Sequence, residues 1–105
     1  MHTVKDVPGL DTKVRVLREP MAFGSAKLLG FAELVIGGSF VIRDIRILKV
    51  EKEGAESVFV SFPSRRWNGG EEKKFYDVAF PITAESYKQA TGTILKAFEE
   101  AAVKA

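Results

Sequence analysis

Cysteine is absent from this sequence, and histidine occurs once, as His2 beside the N-terminus. These absences exclude disulfide bonds and thiolate metal sites, and they leave little from which a zinc site or a histidine-based catalytic centre could be built. Gly69 and Gly70 lie between two predicted strands, so they are not a phosphate-binding loop that leads into a helix. Glu71 and Glu72 are more typical of a solvated loop than of paired catalytic carboxylates. We therefore expect no enzyme activity, no cofactor and no metal.

The length of 105 residues is enough for one domain with a core, although a second subunit would add appreciably to so small a core. The composition is that of a soluble protein, and the net charge of +2 is too small by itself to indicate a nucleic-acid-binding protein. Residues 1–12 mix charges with Pro8 and Gly9, which predicts a flexible lead-in before a single domain at residues 13–105. No apolar run of a secretory signal or membrane span is present, so we expect a cytoplasmic protein.

The domain is predicted to begin with a strand at residues 13–18. Polar and apolar residues alternate there, with Val14 and Val16 towards the core. Pro20 has no amide hydrogen for a ladder, so we expect it to end this strand.

A long hairpin is predicted next. Residues 27–36 are apolar on both alternating faces, and Gly37 and Gly38 can adopt the positive φ angles of a tight turn into a strand at residues 40–50. So small a chain has too little of its own surface to cover both faces of this hairpin. We therefore expect a homodimer.

Arginines lie in the second strand of this hairpin. Asp44 and Arg46 are spaced to lie side by side, and Val41, Ile45 and Ile47 share the other face with Arg43. An ion pair between Asp44 and Arg46 is the simpler interpretation. Arg43 and Arg46 are also candidate phosphate contacts, since a guanidinium can offer two parallel donors to phosphate oxygens.

The strand predicted at residues 57–62 directs Val58, Val60 and Phe62 inward and Phe59 outward. Its aromatic pattern weakly resembles the strand on which bases stack in RNA-recognition folds. Phe59 is therefore either a stacking residue or, more simply, a packing residue.

A basic loop is predicted at residues 63–74, before a further strand at residues 75–80. Its chemistry suits a nucleic-acid backbone, with arginines and lysines for phosphates, polar side chains for hydrogen bonds and an indole for stacking. The alternative is a solvated loop without a ligand. The candidate contacts are Ser64, Arg65, Arg66, Trp67, Asn68, Lys73 and Lys74.

A terminal helix is predicted after Thr83, which is a suitable N-cap, with Glu85 in the first turn. Apolar residues then recur at three- and four-residue spacing and must dock on a sheet of this chain or of a neighbour. Gly92 marks either close packing or a weak point in the helix. Lys88, near the helix start, is a further candidate contact. The stripe contains Tyr87, Thr91, Ile94, Leu95, Phe98, Ala101 and Ala102.

Three blocks carry a family resemblance: FVIRDIRI at residues 40–47, VFVSFPSRR at residues 58–66 and FYDVAFPI at residues 75–82. Their order and content resemble the SpoVG family (stage V sporulation protein G), over residues 13–98. The resemblance implies a dimer and a regulatory protein that contacts DNA or RNA to modulate gene expression, with links to septation and sporulation.

The sequence thus predicts an α+β fold, with a curved antiparallel β-sheet of four to five strands, a long β-hairpin and a C-terminal α-helix in a SpoVG-like dimer. The predicted partner is nucleic acid, DNA or RNA, held by the basic loop of each subunit, without a membrane or a small-molecule substrate. The alternative is a protein-protein interaction module that makes no direct contact with nucleic acid.

Overall fold

The computed structural model describes residues 9–67 and 74–104, and for Arg66, Trp67, Lys74 and Lys104 it describes the backbone alone. Strands β1 to β4 form one antiparallel sheet in chain order, and β5 pairs with β6 in a separate small sheet. The predicted α+β class, antiparallel sheet of four to five strands and terminal helix are confirmed, with four strands in the main sheet; the separate small sheet was not expected. The elements are β1 (Leu10–Phe23), β2 (Ala26–Ile36), β3 (Phe40–Lys52), β4 (Ala55–Ser61), β5 (Ser64–Trp67), β6 (Lys74–Asp77) and α1 (Ala84–Lys104).

The β2–β3 hairpin turns where the glycine pair predicted it. Gly37 and Gly38 have φ angles of 58° and 71°, which L side chains rarely adopt. The Ser39 amide donates a hydrogen bond to the Ile36 carbonyl oxygen at 3.1 Å. Ile36 is then the register partner of Phe40, so the two strands pair from the turn onward.

Strand β1 differs from the prediction at both ends. It begins at Leu10, where it pairs with Ile36, and it continues beyond Pro20 to Phe23. The expectation that Pro20 ends the strand is wrong, because β1 is an edge strand and its register shifts between Val16 and Met21. Proline is tolerated at such a position, since no ladder hydrogen bond is required of it.

In β4 the predicted alternation holds only near the end of the strand. Val60 and Phe62 are buried and Phe59 is exposed, as expected. Val58 is also exposed, so its predicted inward role is wrong. Val60 pairs with Ile47, which belongs to the core cluster, whereas Val58 lies two residues further from the core and pairs with Lys49.

Helix α1 packs on the sheet of its own chain and completes the core. The Ser86 amide donates a hydrogen bond to Thr83 Oγ1 at 3.1 Å, which confirms the predicted N-cap. Ile94 is fully buried and Ala90, which the predicted stripe did not include, is buried beside it. The buried core cluster consists of Ala32, Leu34, Ile45, Ile47, Val60, Phe62, Ala90 and Ile94.

Two glycines differ sharply in the space around them. A Cβ added to Gly30, which is buried in β2, would lie 2.5 Å from the carbonyl oxygen of Arg15 in β1. A Cβ added to Gly92 in α1 would have nothing within 4 Å. Gly92 is therefore not a site of close packing, which leaves the weak-point interpretation.

We expect opposite effects from alanine at these two positions. Gly30→Ala forces the β1 and β2 backbones apart and should lower the free energy of unfolding by about 1–3 kcal/mol, the usual cost of overpacking. Gly92→Ala should raise it by about 0.5–1 kcal/mol through better helix propensity. Chemical denaturation of both variants beside the wild type measures this. A Gly30→Ala protein as stable as the wild type would contradict the close approach of β1 and β2.

Candidate nucleic-acid interface

The segment predicted as a basic loop begins as a strand. Residues Ser64–Trp67 form β5 and pair antiparallel with Lys74–Asp77, so the expectation that residues 64–67 belong to a loop is wrong. Tryptophan, phenylalanine and tyrosine, which occur in these two segments, are residue types that favour extended, cross-strand paired backbone. The strand predicted at residues 75–80 is correspondingly shorter, since β6 ends at Asp77.

The register of this hairpin brings basic and aromatic residues together. Arg65 is the cross-strand partner of Tyr76, and the backbone of Arg66 pairs with that of Phe75. Ser64 lies at the base of the hairpin opposite Asp77, where the amide of Val78 donates to the Pro63 carbonyl oxygen at 2.8 Å. The backbones of Trp67 and Lys74 form the last pair of the ladder. Asn68 and Lys73 lie outside the described residues.

The described part of the hairpin is solvent-facing. Arg65 and Tyr76 are exposed, and Phe75 is 70% exposed. Among the described residues, β5 and β6 make no extensive contact with the four-stranded sheet or with α1. An exposed arginine flanked by exposed rings on a protruding ribbon is typical of a recognition surface rather than of a packing element.

Sequence reasoning placed the stacking residue at Trp67 and missed Phe75 and Tyr76, which it assigned to a strand. A hairpin prediction over residues 64–77 could have found them. If the two ends of this segment pair as strands, the aromatic residues of the second strand lie opposite the arginines of the first.

The β3 arginines occupy different surroundings from those predicted. Arg43 Nε lies 3.5 Å from Glu33 Oε2, in an exposed ion pair with side chains 71% and 40% accessible. The guanidinium of Arg46 lies over the ring of Phe23, 5.0 Å from its centroid. The predicted pair between Asp44 and Arg46 is absent from the ion pairs of the described residues.

Asp44 explains why that prediction is wrong. Its φ angle is 62°, and the β2–β3 register shifts between Ala32 and Leu34 beside it. This irregularity changes the alternation along β3, so Arg43 and Asp44 do not follow the period-two pattern of the flanking residues. An exposed pair such as Arg43–Glu33 contributes only about 0–1 kcal/mol to the free energy of unfolding.

Lys88 lies apart from Arg46. It is exposed in the second turn of α1. The helix covers one face of the sheet, whereas Arg46, adjacent to the buried Ile45 and Ile47, projects from the other. The structure therefore does not bring Lys88 and Arg46 into one continuous patch.

The described residues include no group of three or more His, Cys, Asp or Glu side chains that could hold a metal ion. Within those same residues, no helix is both long enough and apolar enough to cross a membrane.

The backbone conformation of Asp44 gives a stability prediction. Glycine accepts a φ of 62° without a Cβ penalty, whereas a β-branched residue does not. We expect Asp44→Gly to be as stable as the wild type or more stable by up to about 1 kcal/mol, and Asp44→Val to be less stable by about 1–2 kcal/mol. Urea denaturation of the two variants measures the difference. Equal stability of both would contradict the left-handed conformation.

Comparison with known proteins places the chain among named relatives. The sequence profile of the SpoVG family matches residues 10–100. The protein named "Putative septation protein SpoVG" from Acholeplasma laidlawii is 34% identical over 89 residues, which covers 84% of this chain and 86% of the relative. Its namesake from Heliobacterium modesticaldum is 31% identical over 94 residues, covering 90% and 94% of the two chains. A third, from Treponema denticola, is 32% identical over 89 residues and covers 85% of each.

No solved structure matches the chain. The family match runs from the first residue of β1 to the last turns of α1, and it includes the β2–β3 hairpin and both strands of the β5–β6 hairpin. The resemblance noted from the three sequence blocks is confirmed: the chain belongs to the SpoVG family.

Proposed function

We propose that this protein is a regulatory nucleic-acid-binding protein that contacts DNA or RNA through the β5–β6 hairpin and modulates gene expression linked to septation and sporulation. The observation that carries the proposal is the pairing of exposed Arg65 with exposed Tyr76 beside exposed Phe75. The hairpin is not used for packing in the described part of the chain, which leaves these side chains available to a ligand.

The geometry of the hairpin suits a nucleic acid for two physical reasons. The major groove of B-form DNA admits a two-stranded β-ribbon, and a ribbon can also follow a single strand. Arginine forms two parallel hydrogen bonds with a phosphate, and an aromatic ring stacks on a base of any sequence. Arg65 and Tyr76 supply one group of each kind from adjacent positions on one face.

The remaining candidate contacts extend this surface. In the proposed complex the positive side chains hold phosphates, the polar side chains donate hydrogen bonds and the indole stacks. The phosphate contacts are Arg65, Arg66, Lys73 and Lys74; the polar contacts are Ser64 and Asn68; and the stacking residue is Trp67.

A homodimer is part of the proposal. Apolar side chains remain uncovered at the turn end of the β2–β3 hairpin, where Phe40 is 74% exposed, and in the segment before α1, where Ile82 is 86% exposed. Between them lies an apolar cleft of about 200 Å³. A second copy of the chain would cover these residues, and it would present a second hairpin, so that two weak contacts act together through avidity.

The link to septation rests on the relatives, whose printed name describes them as septation proteins. That name refers to cell division and not to a catalysed reaction. We extend it to this chain as the process that its nucleic-acid binding regulates.

A second candidate function, a protein-interaction module, is favoured by the same uncovered apolar residues. An apolar partner would bind with little dependence on salt, because burial of apolar surface does not release counterions. Phosphate binding instead weakens steeply as salt rises.

We expect the wild type to bind a labelled mixed-sequence duplex with a salt-sensitive affinity measured by fluorescence anisotropy. Two to four phosphate contacts per dimer give a slope of log affinity against log salt of about −2 to −4. Arg65→Ala/Arg66→Ala should abolish this binding, since it removes two adjacent phosphate contacts from each subunit. The matched control, Lys52→Ala/Lys96→Ala, removes the same charge from exposed positions on β3 and α1.

Light scattering must show that each variant keeps the assembly state of the wild type. Binding that falls equally in both double variants would reflect net charge and contradict a specific hairpin contact. A flat salt response, or no binding at low salt, would favour the protein-interaction module.

A further inference from the structure

A second surface of mixed basic and aromatic character lies on the face of the four-stranded sheet that α1 does not cover. Arg15 pairs with Phe31, Phe31 with Arg46, and Arg46 with Ser61. One row of cross-strand partners therefore crosses all four strands. Residues directly opposite each other in antiparallel strands project to the same face, so Phe31 lies between two arginines.

The orientation of this row follows from its neighbours. Ala32 and Ile45, next to Phe31 and Arg46 along their strands, are buried in the core cluster with α1. Successive side chains on a strand point to opposite faces. The row from Arg15 to Ser61 is therefore on the face opposite α1, where Arg15 is exposed and Phe31, Arg46 and Ser61 are partly exposed.

Further rings lie on the same face. Phe59 lies two residues from Ser61 along β4 and so on the same face; it is exposed, although its cross-strand partner Leu48 is buried. Phe23 is exposed as well, and the guanidinium of Arg46 lies over its ring. Arg46 thus has two aromatic neighbours. Phe31 is its cross-strand partner in β2, and the ring of Phe23 lies under its guanidinium group.

The row borders a cleft of about 440 Å³, whose lining includes Lys13, Arg15, Phe31 and Glu33. Glu33 is paired with Arg43. Within the described residues, neither Lys13 nor Arg15 has a carboxylate within ion-pair distance. The positive charge of these two side chains is consequently available to an anion.

We propose that this face binds single-stranded nucleic acid, with one base stacked on Phe31 and flanking phosphates held by Arg15 and Arg46. A flat sheet surface can stack only on bases that are not enclosed in a duplex, and rings interleaved with cations are the pattern of single-strand platforms. The row spans about 14 Å, three interstrand spacings of about 4.8 Å each, which is room for a short run of nucleotides.

A second copy of the chain is a poorer occupant of this face. A two-fold contact centred on Phe31 would bring the same row of two arginines from each subunit together, and like charges repel. The row ends at Ser61, the last residue of β4, and the β5–β6 hairpin begins shortly afterwards in the chain, at Ser64. The proposal therefore rests on the proposed function for its ligand class, but it depends on different residues.

The test compares a labelled oligo(dT) strand with an abasic strand of the same length and with a duplex, in anisotropy titrations of the full chain. The wild type should bind oligo(dT) more tightly than the abasic strand. Phe31→Leu should weaken oligo(dT) binding about 5- to 30-fold and leave abasic-strand binding unchanged, because only base stacking is lost. Arg15→Gln should weaken binding of both strands and reduce the salt slope by about 1.

Two controls keep the readout specific. Lys96→Gln removes a charge from the exposed side of α1, and Phe98→Leu removes a ring that packs against the core from the helix side. Neither should alter the preference for oligo(dT). Arg65→Ala/Arg66→Ala, measured in parallel on the duplex, reports on the hairpin, so the two sites can fail independently.

Three results would overturn the proposal. The first is an unchanged preference for oligo(dT) in Phe31→Leu. The second is a wild type that binds the abasic strand as tightly as oligo(dT). The third is a change of assembly state in Arg15→Gln or Phe31→Leu, measured by light scattering. The last result would identify this face as an interface between copies of the chain.

Discussion

A single helix can cover only one face of a four-stranded sheet, and the remaining features of this molecule follow from that constraint. Ile94 and Ala90 bury the apolar residues of β2, β3 and β4 on one side. The opposite side is not covered by α1. It carries rings and cations, and its buried residues are Leu28 and Leu48. The two faces of one sheet thus have different chemistry.

Local irregularities determine which side chains reach which face. The left-handed backbone of Asp44 interrupts the alternation of β3, so Ile42 joins the apolar residues packed against the core while Arg43 turns towards Glu33. A second register shift lies between Leu28 and Gly30, opposite Leu48 and Ile47. A regular sheet would place a different set of side chains beside Phe31.

The sequence predicted those features that depend on a few adjacent residues. Gly37 and Gly38 specify the hairpin turn, and Thr83 specifies the helix start, because each acts through its own backbone or its own hydroxyl group. The extension of β1 past Pro20 and the β5 strand depend on partners distant in the chain and on sheet position. Of the candidate contacts, Arg65 was found from sequence, whereas its partner Tyr76 required the register.

The passage of an edge strand through Pro20 has a consequence for association between molecules. An unpaired strand edge is a template on which another chain can add a strand, and proline together with a break in register removes that template. Between Val16 and Met21 the outer edge of β1 is interrupted in this way. Pro20 and the break in register therefore protect this part of the sheet edge from aggregation at high concentration.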